Sequence, residues 1–508
     1  LDENVTLEAE NILLTYNKRL SLRVENLIAK SPENVLARIG EAEIDFANRS
    51  LLFAKLRPKH IRIEQAVAHI VRSHTHVSLG GLILWQDTQS EQVSEPGAMP
   101  DVISAVLNTN SVAVLEQLKS VKISDLYALI QDDVRSVTWL VEDGMATTTR
   151  YRNTGLQMTL KTTLRQKEQS LLKAMPVTIK VSEIEDGIRV TAGLAQSDTK
   201  LIKPYLPPNL QNTIQAEGTI GLETTLLRGN KILPPSIFAD LTNVEVNIPE
   251  GYSHALNFES IYLKGRFAPE TETFHVAGLK IKDTFGNTTQ ISGTLAALES
   301  SPTIDIGLVS DINTLEHVKY YLPDIKMHKV FKYLNTQIEN ATFKNLRVRY
   351  QGMPQNMPDC SKECGLEVWA DITGGKMKFI KNSTLADVKS AKFYLGDNKL
   401  HIKDGIAKFV GNEIQNVDLQ IRPIFEPKSV LKTVYITGKA TGQAAPLIKD
   451  LQKDIPEMEG IPYIAATHHT SVTLSVPITP PEVKTQLSDM TLSLKTNLAN
   501  ANINFSPD

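Results

Sequence analysis

Charge of one sign is what this sequence most lacks. Its 54 Lys and Arg are met by 57 Asp and Glu, a net charge of −3 over 508 residues. A nucleic-acid binder needs a dense basic face to neutralise phosphates, and an anionic lipid surface attracts a polybasic patch. Neither is present, so nucleic acid is excluded as a partner. Aromatics are also sparse, at 6%, low for a carbohydrate-binding cleft. Long apolar runs are missing: the longest lies near residues 79–85, far short of the ~20 that span a bilayer as a helix. No Gly-x-Ser-x-Gly, P-loop or dinucleotide fingerprint occurs.

Only two cysteines occur, Cys360 and Cys364, in a loop-like stretch bounded by Pro358 and Gly365. Two thiols four residues apart cannot complete a tetrahedral zinc site without other ligands. They read either as a local disulfide, which suits an oxidising compartment, or as two free thiols in an exposed loop. A bridge there closes too short a loop to add much global stability. His74 and His76 share one strand face, with His60 and His69 nearby, but no Cys, Asp or Glu joins them at usable spacing. His468 and His469 are adjacent and point to opposite faces of a strand, so they cannot chelate together. Glu183 and Glu185 read as a solvated strand face rather than as a glycosidase pair. No metal, no cofactor and no enzymatic activity is expected.

What the chain has in abundance is alternation. Leu20, Leu22 and Val24 share one face. So do Ala277, Leu279 and Ile281; Ile304, Ile306 and Leu308; Leu346, Val348 and Tyr350. The pattern repeats in Leu366, Val368, Ala370 and Ile372, in Val417, Leu419 and Ile421, and in Val472, Leu474 and Val476. Period two with one wet face predicts antiparallel strands. Turn chemistry at residues 185–187, 286–287 and 396–398 sits between such runs. Helical signals are short: Val102, Ile103, Val106 and Leu107 share a face, after a polar stretch over residues 86–100 that reads as a loop. At 508 residues the chain is too long for one compact core, so it is either several domains or a repeat growing along one axis.

A repeat is visible. Ile202-Lys-Pro-Tyr-Leu-Pro207 is echoed 116 residues later by Val318-Lys-Tyr-Tyr-Leu-Pro323. A short amphipathic stretch follows each, with Leu210 and Ile214 in the first and Val330, Phe331 and Leu334 in the second. Alternating strands come next, and a fainter third copy begins at Ala445. The expected segments are 1–98, an N-terminal β-groove segment ending in a polar loop, and 99–197, a helix plus meander. Repeat units at 198–313 and 314–443 follow, and a further one starts at 444–508. The chain begins at Leu1 rather than Met and enters strand-like sequence directly, which reads as a piece of a longer protein.

These Tyr-Leu-Pro elements, the strand-like residues 5–27, and the stretch 119–126 followed by Trp139 resemble the AsmA-like superfamily, especially its YhdP-like branch. That branch has Trp where Tyr333 stands here. The resemblance implies a mainly β fold: an elongated, twisted antiparallel β-sheet curled into an open trough and punctuated by short helices. It implies a periplasmic protein held in the inner membrane by a segment outside this chain. Its partners are then phospholipid acyl chains, the inner and outer membranes, and envelope proteins. The implied function is conduction of phospholipid between the two membranes along an apolar groove. The TamB branch suggests an alternative, assembly or translocation of outer-membrane proteins. On the first reading the groove is lined by Ile220, Leu222, Leu279, Ile281, Leu346, Val348, Tyr350, Leu366 and Val368, taken from the apolar face of each strand.

Burial energetics fit such a conduit. Exposing a CH₂ costs about 0.8 kcal/mol, so an acyl chain of ~16 carbons costs on the order of 13 kcal/mol in water. Strands of ~9 residues would each span roughly 30 Å, and ~25–30 of them at ~4.8 Å spacing would extend on the order of 100 Å.

Overall fold

The computed structural model describes residues 5–31, 35–47, 57–80, 82–86, 118–151, 155–169, 174–205, 211–227, 231–248, 251–296, 302–322, 335–353, 365–378, 384–424, 432–452, 463–478 and 491–504. Cys360 and Cys364, the helix expected over 101–107 and the residues Leu210, Val330, Phe331 and Leu334 lie outside them. The described residues hold 27 strands and few, short helices. They fall into two units, Leu1–Val244 and Glu245–Asp508.

The first unit contains β1 (Thr6–Glu8), β2 (Asn11–Tyr16), β3 (Leu20–Lys30), β4 (Val35–Phe46), β5 (Pro58–Arg72), β6 (His76–Leu79) and β7 (Leu82–Gln86). It continues with β8 (Ser120–Asp132), β9 (Val137–Tyr151), β10 (Gly155–Gln166), β11 (Met175–Ile184), β12 (Gly187–Asp198), β13 (Ile214–Leu227), β14 (Lys231–Ile232) and most of β15 (Ser236–Val246). Among the described residues the pairings within β1 to β14 are antiparallel, with one exception. β5 and β8 run parallel over His60 to Arg72 and Ser120 to Asp132. Helix α1 (Thr199–Ile202) and a 3₁₀ turn at Lys203–Tyr205 sit in the connection from β12 to β13.

The second unit contains β16 (Leu256–Ala268), β17 (Thr273–Asp283), β18 (Thr288–Ala296), β19 (Thr303–Ser310), β20 (Ile338–Gly352) and β21 (Gly365–Met377). Then come β22 (Ala386–Gly396), β23 (Lys399–Phe409), β24 (Asn412–Arg422), β25 (Lys432–Gln443), β26 (Tyr463–Ile478) and β27 (Thr491–Asn504). Every consecutive pair is antiparallel, so this sheet is an uninterrupted meander. Helix α2 (Leu315–Tyr321) lies between β19 and β20, and α3 (Ala444–Leu451) between β25 and β26. Each unit is thus the mainly β, elongated antiparallel sheet with few short helices that alternation predicts, and is consistent with an open, curled trough. Many strands exceed the expected ~9 residues, reaching 16 in β26.

Simple alternation breaks at one point in many strands. Asn26, Gln65, Asp125, Asp143, Asn345, Asp404 and Asn416 each take positive φ inside a strand. Polar Asn, Asp and Gln tolerate this conformation because their side chains can bond the local backbone. At Asp125, Asp143, Asn345, Asp404 and Asn416 the pairing register shifts as a one-residue bulge requires, whereas it runs unbroken across Asn26 and Gln65. In β3, β5 and β8 these positive-φ positions, Asn26, Gln65 and Asp125, lie almost level, so the kinks form a crease running across strands. Gly40 faces Gln65 on this crease, and a Cβ there would stand 2.5 Å from Gln65 Oε1. The same effect corrects one reading of the pattern. In β17 the register slips between Val276 and Leu279, so buried Val276 continues the apolar face and Ala277 is exposed.

The helices are short and docked. Asp198 caps α1 by accepting from Lys200 N at 2.8 Å, and Thr314 caps α2 by accepting from His317 N at 3.3 Å. Leu201 packs with Val137, Trp139, Met175 and Val177. Leu315 packs with Ile312 and Phe343, and Val318 and Leu346 lie against them. In α3 the buried Asp450 accepts from Thr384 Oγ1 at 2.6 Å and from Thr384 N at 3.1 Å.

Candidate functional site

The sheet register assembles a surface that no single strand contains. Residues directly opposite in neighbouring strands project from the same side of a sheet. In the second unit Leu263 lies opposite Leu279, Leu279 opposite Ile291, and Ile291 opposite Leu308. Leu308 lies opposite Val348, Val348 opposite Val368, and Val368 opposite Leu395. Leu395 then faces Leu400, Leu400 faces Ile421, and Ile421 faces Val434. Ten consecutive strands, β16 to β25, carry one unbroken aliphatic row, about 43 Å long at ~4.8 Å per strand. All ten side chains are half-buried, neither sealed in a core nor fully in water.

A second row runs beside it, two residues along each strand. Ala370 faces Phe393, Phe393 faces Ile402, Ile402 faces Leu419, and Leu419 faces Ile436, which faces Leu474. The ion pairs of these strands join side chains of the opposite face. Lys282 reaches Glu259 at 2.7 Å, Lys392 reaches Asp404 at 2.9 Å, and Arg349 lies 4.0 Å from Asp305. One face is uncharged and the other carries the charge.

The first unit repeats the design. Ile12 faces Val24, Val24 faces Ala42, and Ala42 faces Ile63. Ile63 faces Ile123 across the parallel pair, and Ile123 faces Ala146. Ala146 faces Leu160, Leu160 faces Ile179, Ile179 faces Ala192, and Ala192 faces Leu222. Here Arg23 pairs with Glu41 at 2.7 Å and Arg62 with Asp45 at 3.2 Å, again on the other face.

The residues named from sequence fall within this frame as follows. Leu279, Val348 and Val368 stand in the long row of the second unit. Tyr350 faces Ile306 and Leu366 in the adjoining row, is 2% exposed, and donates its hydroxyl hydrogen to the carbonyl of Met353. Leu346 stands opposite Ser310 and packs beside α2. Ile281 faces Ile261 on one side and Thr289 on the other. In the first unit Leu222 ends the aliphatic row and is 40% exposed, and Ile220 faces Leu194. Phe393, Leu395, Leu400 and Ile402 were not named, although they alternate on both sides of the turn at residues 396–398.

The histidines are held by neighbours. His60 Nδ1 lies 2.7 Å from Ser120 Oγ, and burial lowers its pKa. His76 Nδ1 lies 2.8 Å from Ser73 Oγ. His468 is 3% exposed, with Nε2 2.9 Å from Asn412 Oδ1, whereas His469 is exposed. Among the described residues no group of three or more His, Cys, Asp or Glu stands where it could hold a metal ion. Among them, too, no helix is long and apolar enough to cross a membrane.

A comparison with protein families matches the model described as "YhdP protein" over residues 236–507, from the first residue of β15 through the second unit. That is more than half of the chain. The chain belongs to the YhdP family. Its matched region is an AsmA-like domain, as the Tyr-Leu-Pro elements suggested. No curated protein and no solved structure matches the chain. The long aliphatic row from Leu263 to Val434 lies wholly inside the family region.

Proposed function

We propose that the uncharged face of each sheet carries the acyl chains of phospholipid through the periplasm, between inner and outer membranes. The headgroup stays in water. The observation that supports this reading is the unbroken aliphatic row across ten strands. It is longer than a core needs and lies on side chains that remain half-open. Because each CH₂ withdrawn from water gains about 0.8 kcal/mol, a uniform aliphatic track lets a chain move from strand to strand without a deep trap or a high barrier. On this reading Ile220, Leu222, Leu279, Ile281, Leu346, Val348, Tyr350, Leu366 and Val368 line the path. The helices α1, α2 and α3 begin the repeat units at 198, 314 and 444, and the membrane anchor lies outside this chain.

The test is Val348→Asp. It places a carboxylate midway along the row, opposite Leu308 and Val368, at a half-buried position. Phospholipid flux to the outer membrane is expected to fall sharply at normal protein level. Undiminished flux with an intact fold would count heavily against the proposal.

A second reading, assembly of outer-membrane proteins, has one observation in its favour. The edge strand β2 pairs only with β3 among the described residues, and Ile12, Leu13 and Leu14 are exposed there. Such an edge can accept a client strand. Photocrosslinkers at Leu395 and Leu13 separate the two: lipid adducts at the former favour conduction, and unfolded barrel protein at the latter favours assembly.

A further inference from the structure

The charged face of β20 to β25 carries a row of its own. Arg347 lies opposite Trp369, Trp369 opposite Tyr394, and Tyr394 opposite His401. His401 lies opposite Gln420, and Gln420 opposite Tyr435. Six consecutive strands therefore align guanidinium, indole, phenol, imidazole, amide and phenol; the imidazole of His401 is buried, and the other five flat groups are open or half-open. The chain has only 3 Trp and 13 Tyr, so this concentration is local.

The flat groups are held in place. The Trp369 and Tyr394 ring centroids are 5.6 Å apart, tilted by 43°. Tyr394 donates to Asp397 at 2.8 Å, and Lys399 Nζ stands 5.5 Å over its ring. His401 Nε2 lies 2.9 Å from Asp418 Oδ1, and Arg422 stands 5.2 Å over Tyr435. Trp369 and Tyr394 line a hollow of about 740 Å³ whose walls also include Asn345, Arg347, Asp371 and Lys403. Asn345 Nδ2 donates to Asp371 Oδ2 at 2.6 Å, which fixes the carboxylate. A smaller hollow adjoins it at Tyr435, and the two share Asp397 and Lys399. Arg347 and Lys403 make no ion pair among the described residues.

We propose that this face binds an acidic oligosaccharide lying across the strands. A pyranose ring offers an apolar C–H face to an aromatic ring, and hydroxyls at its rim to planar polar groups such as Asp371, Asn345 and Gln420. The ~4.8 Å interval between strands is close to the repeat of a linear sugar chain, so a sugar seated on Trp369 brings its neighbour to Arg347 one strand away. Lys399 and Arg422 cover the Tyr394 and Tyr435 rings, so the stacking face is that of Trp369, whose packing on Tyr394 limits the freedom it loses on binding. The unpaired charges of Arg347 and Lys403 select a sugar bearing carboxylate or phosphate. A β-strand partner is disfavoured because β21 to β24 are paired on both edges. The site lies on the face opposite the aliphatic row, so it stands or falls independently of lipid conduction.

Calorimetric titration of the chain with a galacturonic acid tetramer and with neutral chitotetraose tests it. The acidic tetramer is expected to bind at one site and more tightly than the neutral one. Trp369→Ala should weaken binding about tenfold, as expected for the loss of one ring-stacking contact. Arg347→Gln, an exposed change that leaves the sheet intact, should remove the preference for the acidic chain. Binding of neither tetramer, equal binding of both, or an affinity untouched by Trp369→Ala overturns the proposal.

Discussion

The phenol of Tyr205 donates to the carboxylate of Asp132 at 3.2 Å, across 73 residues of sequence. Trp139 Nε1 donates to the same phenol oxygen at 2.9 Å, and Arg72 Nη1 reaches Asp132 at 3.1 Å. The second Tyr-Leu-Pro copy repeats the arrangement. Tyr321 is buried beside Asp283, which accepts from the turn amides of Phe285 at 2.9 Å and Asn287 at 2.7 Å. No hydrogen bond of good geometry reaches the Tyr321 hydroxyl, yet burial, and then Asp283, push its pKa well up. In the first copy the repeated tyrosine pegs a short helix to the carboxylate that ends a strand, and in the second it lies beside the matching carboxylate.

Removing that peg has two readable effects. Tyr205→Phe should cost the first unit about 1 kcal/mol, the typical worth of one hydrogen bond. It should also change the alkaline limb of stability. Burial first, and Asp132 after it, raise the Tyr205 pKa, against the hydrogen bond from Trp139 that lowers it. A raised phenol pKa leaves stability intact below about pH 10 and erodes it as pH climbs beyond. Urea unfolding between pH 8 and 11 should show a shallower decline in the variant; identical slopes would refute the assignment.

An acid-side dependence is expected from His468. Burial, and then His469, lower its pKa. The folded state therefore prefers the neutral ring, and its stabilising effect is complete above the unfolded value of about 6.5 and lost as pH falls below it. Protection factors of β24 to β26, taken relative to the intrinsic exchange rate at each pH, should fall between pH 7.5 and 5.5. In His468→Gln that pH-dependent fall should disappear.

The bulges can be probed at Asn416, which has φ of 53° and an exposed side chain. Asn416→Val should cost about 1–2 kcal/mol from left-handed backbone strain, whereas Asn416→Gly should not incur that strain. Equal denaturation midpoints for the two variants would show that the strand does not depend on this kink.

Phe343 joins the α2 helix to β20 and is buried with Ile312 and Leu315. Phe343→Ala should cost about 3–5 kcal/mol, with exchange protection of residues 315–321 lost first. Protection that persists there would mean the helix is held elsewhere.

The runs Leu346, Val348, Tyr350 and Leu366, Val368, Ala370 announce their strands because alternation is a local property of the chain. The aliphatic face was legible only strand by strand. Leu395 and Leu400 were passed over because two apolar residues beside a turn look the same whether or not they continue a row. Ala277 was assigned to the wrong face because a one-residue bulge leaves no mark on composition. The parallel pairing of β5 with β8 is equally silent, since residues 60 and 120 meet only through the fold.

The sequence by itself determined the strands, the turns, the Tyr-Leu-Pro repeat and the near-balance of charge, because each follows from neighbouring residues or simple counts. Tertiary structure alone decided the register. Register sets Leu263 to Val434 in one line and, on the reverse face, Arg347 to Tyr435 in another. The physical reason is that a shift of one residue in a strand sends every side chain to the opposite face. A surface spread over ten strands is therefore fixed by the pairing of all of them together and by the pattern of none of them alone.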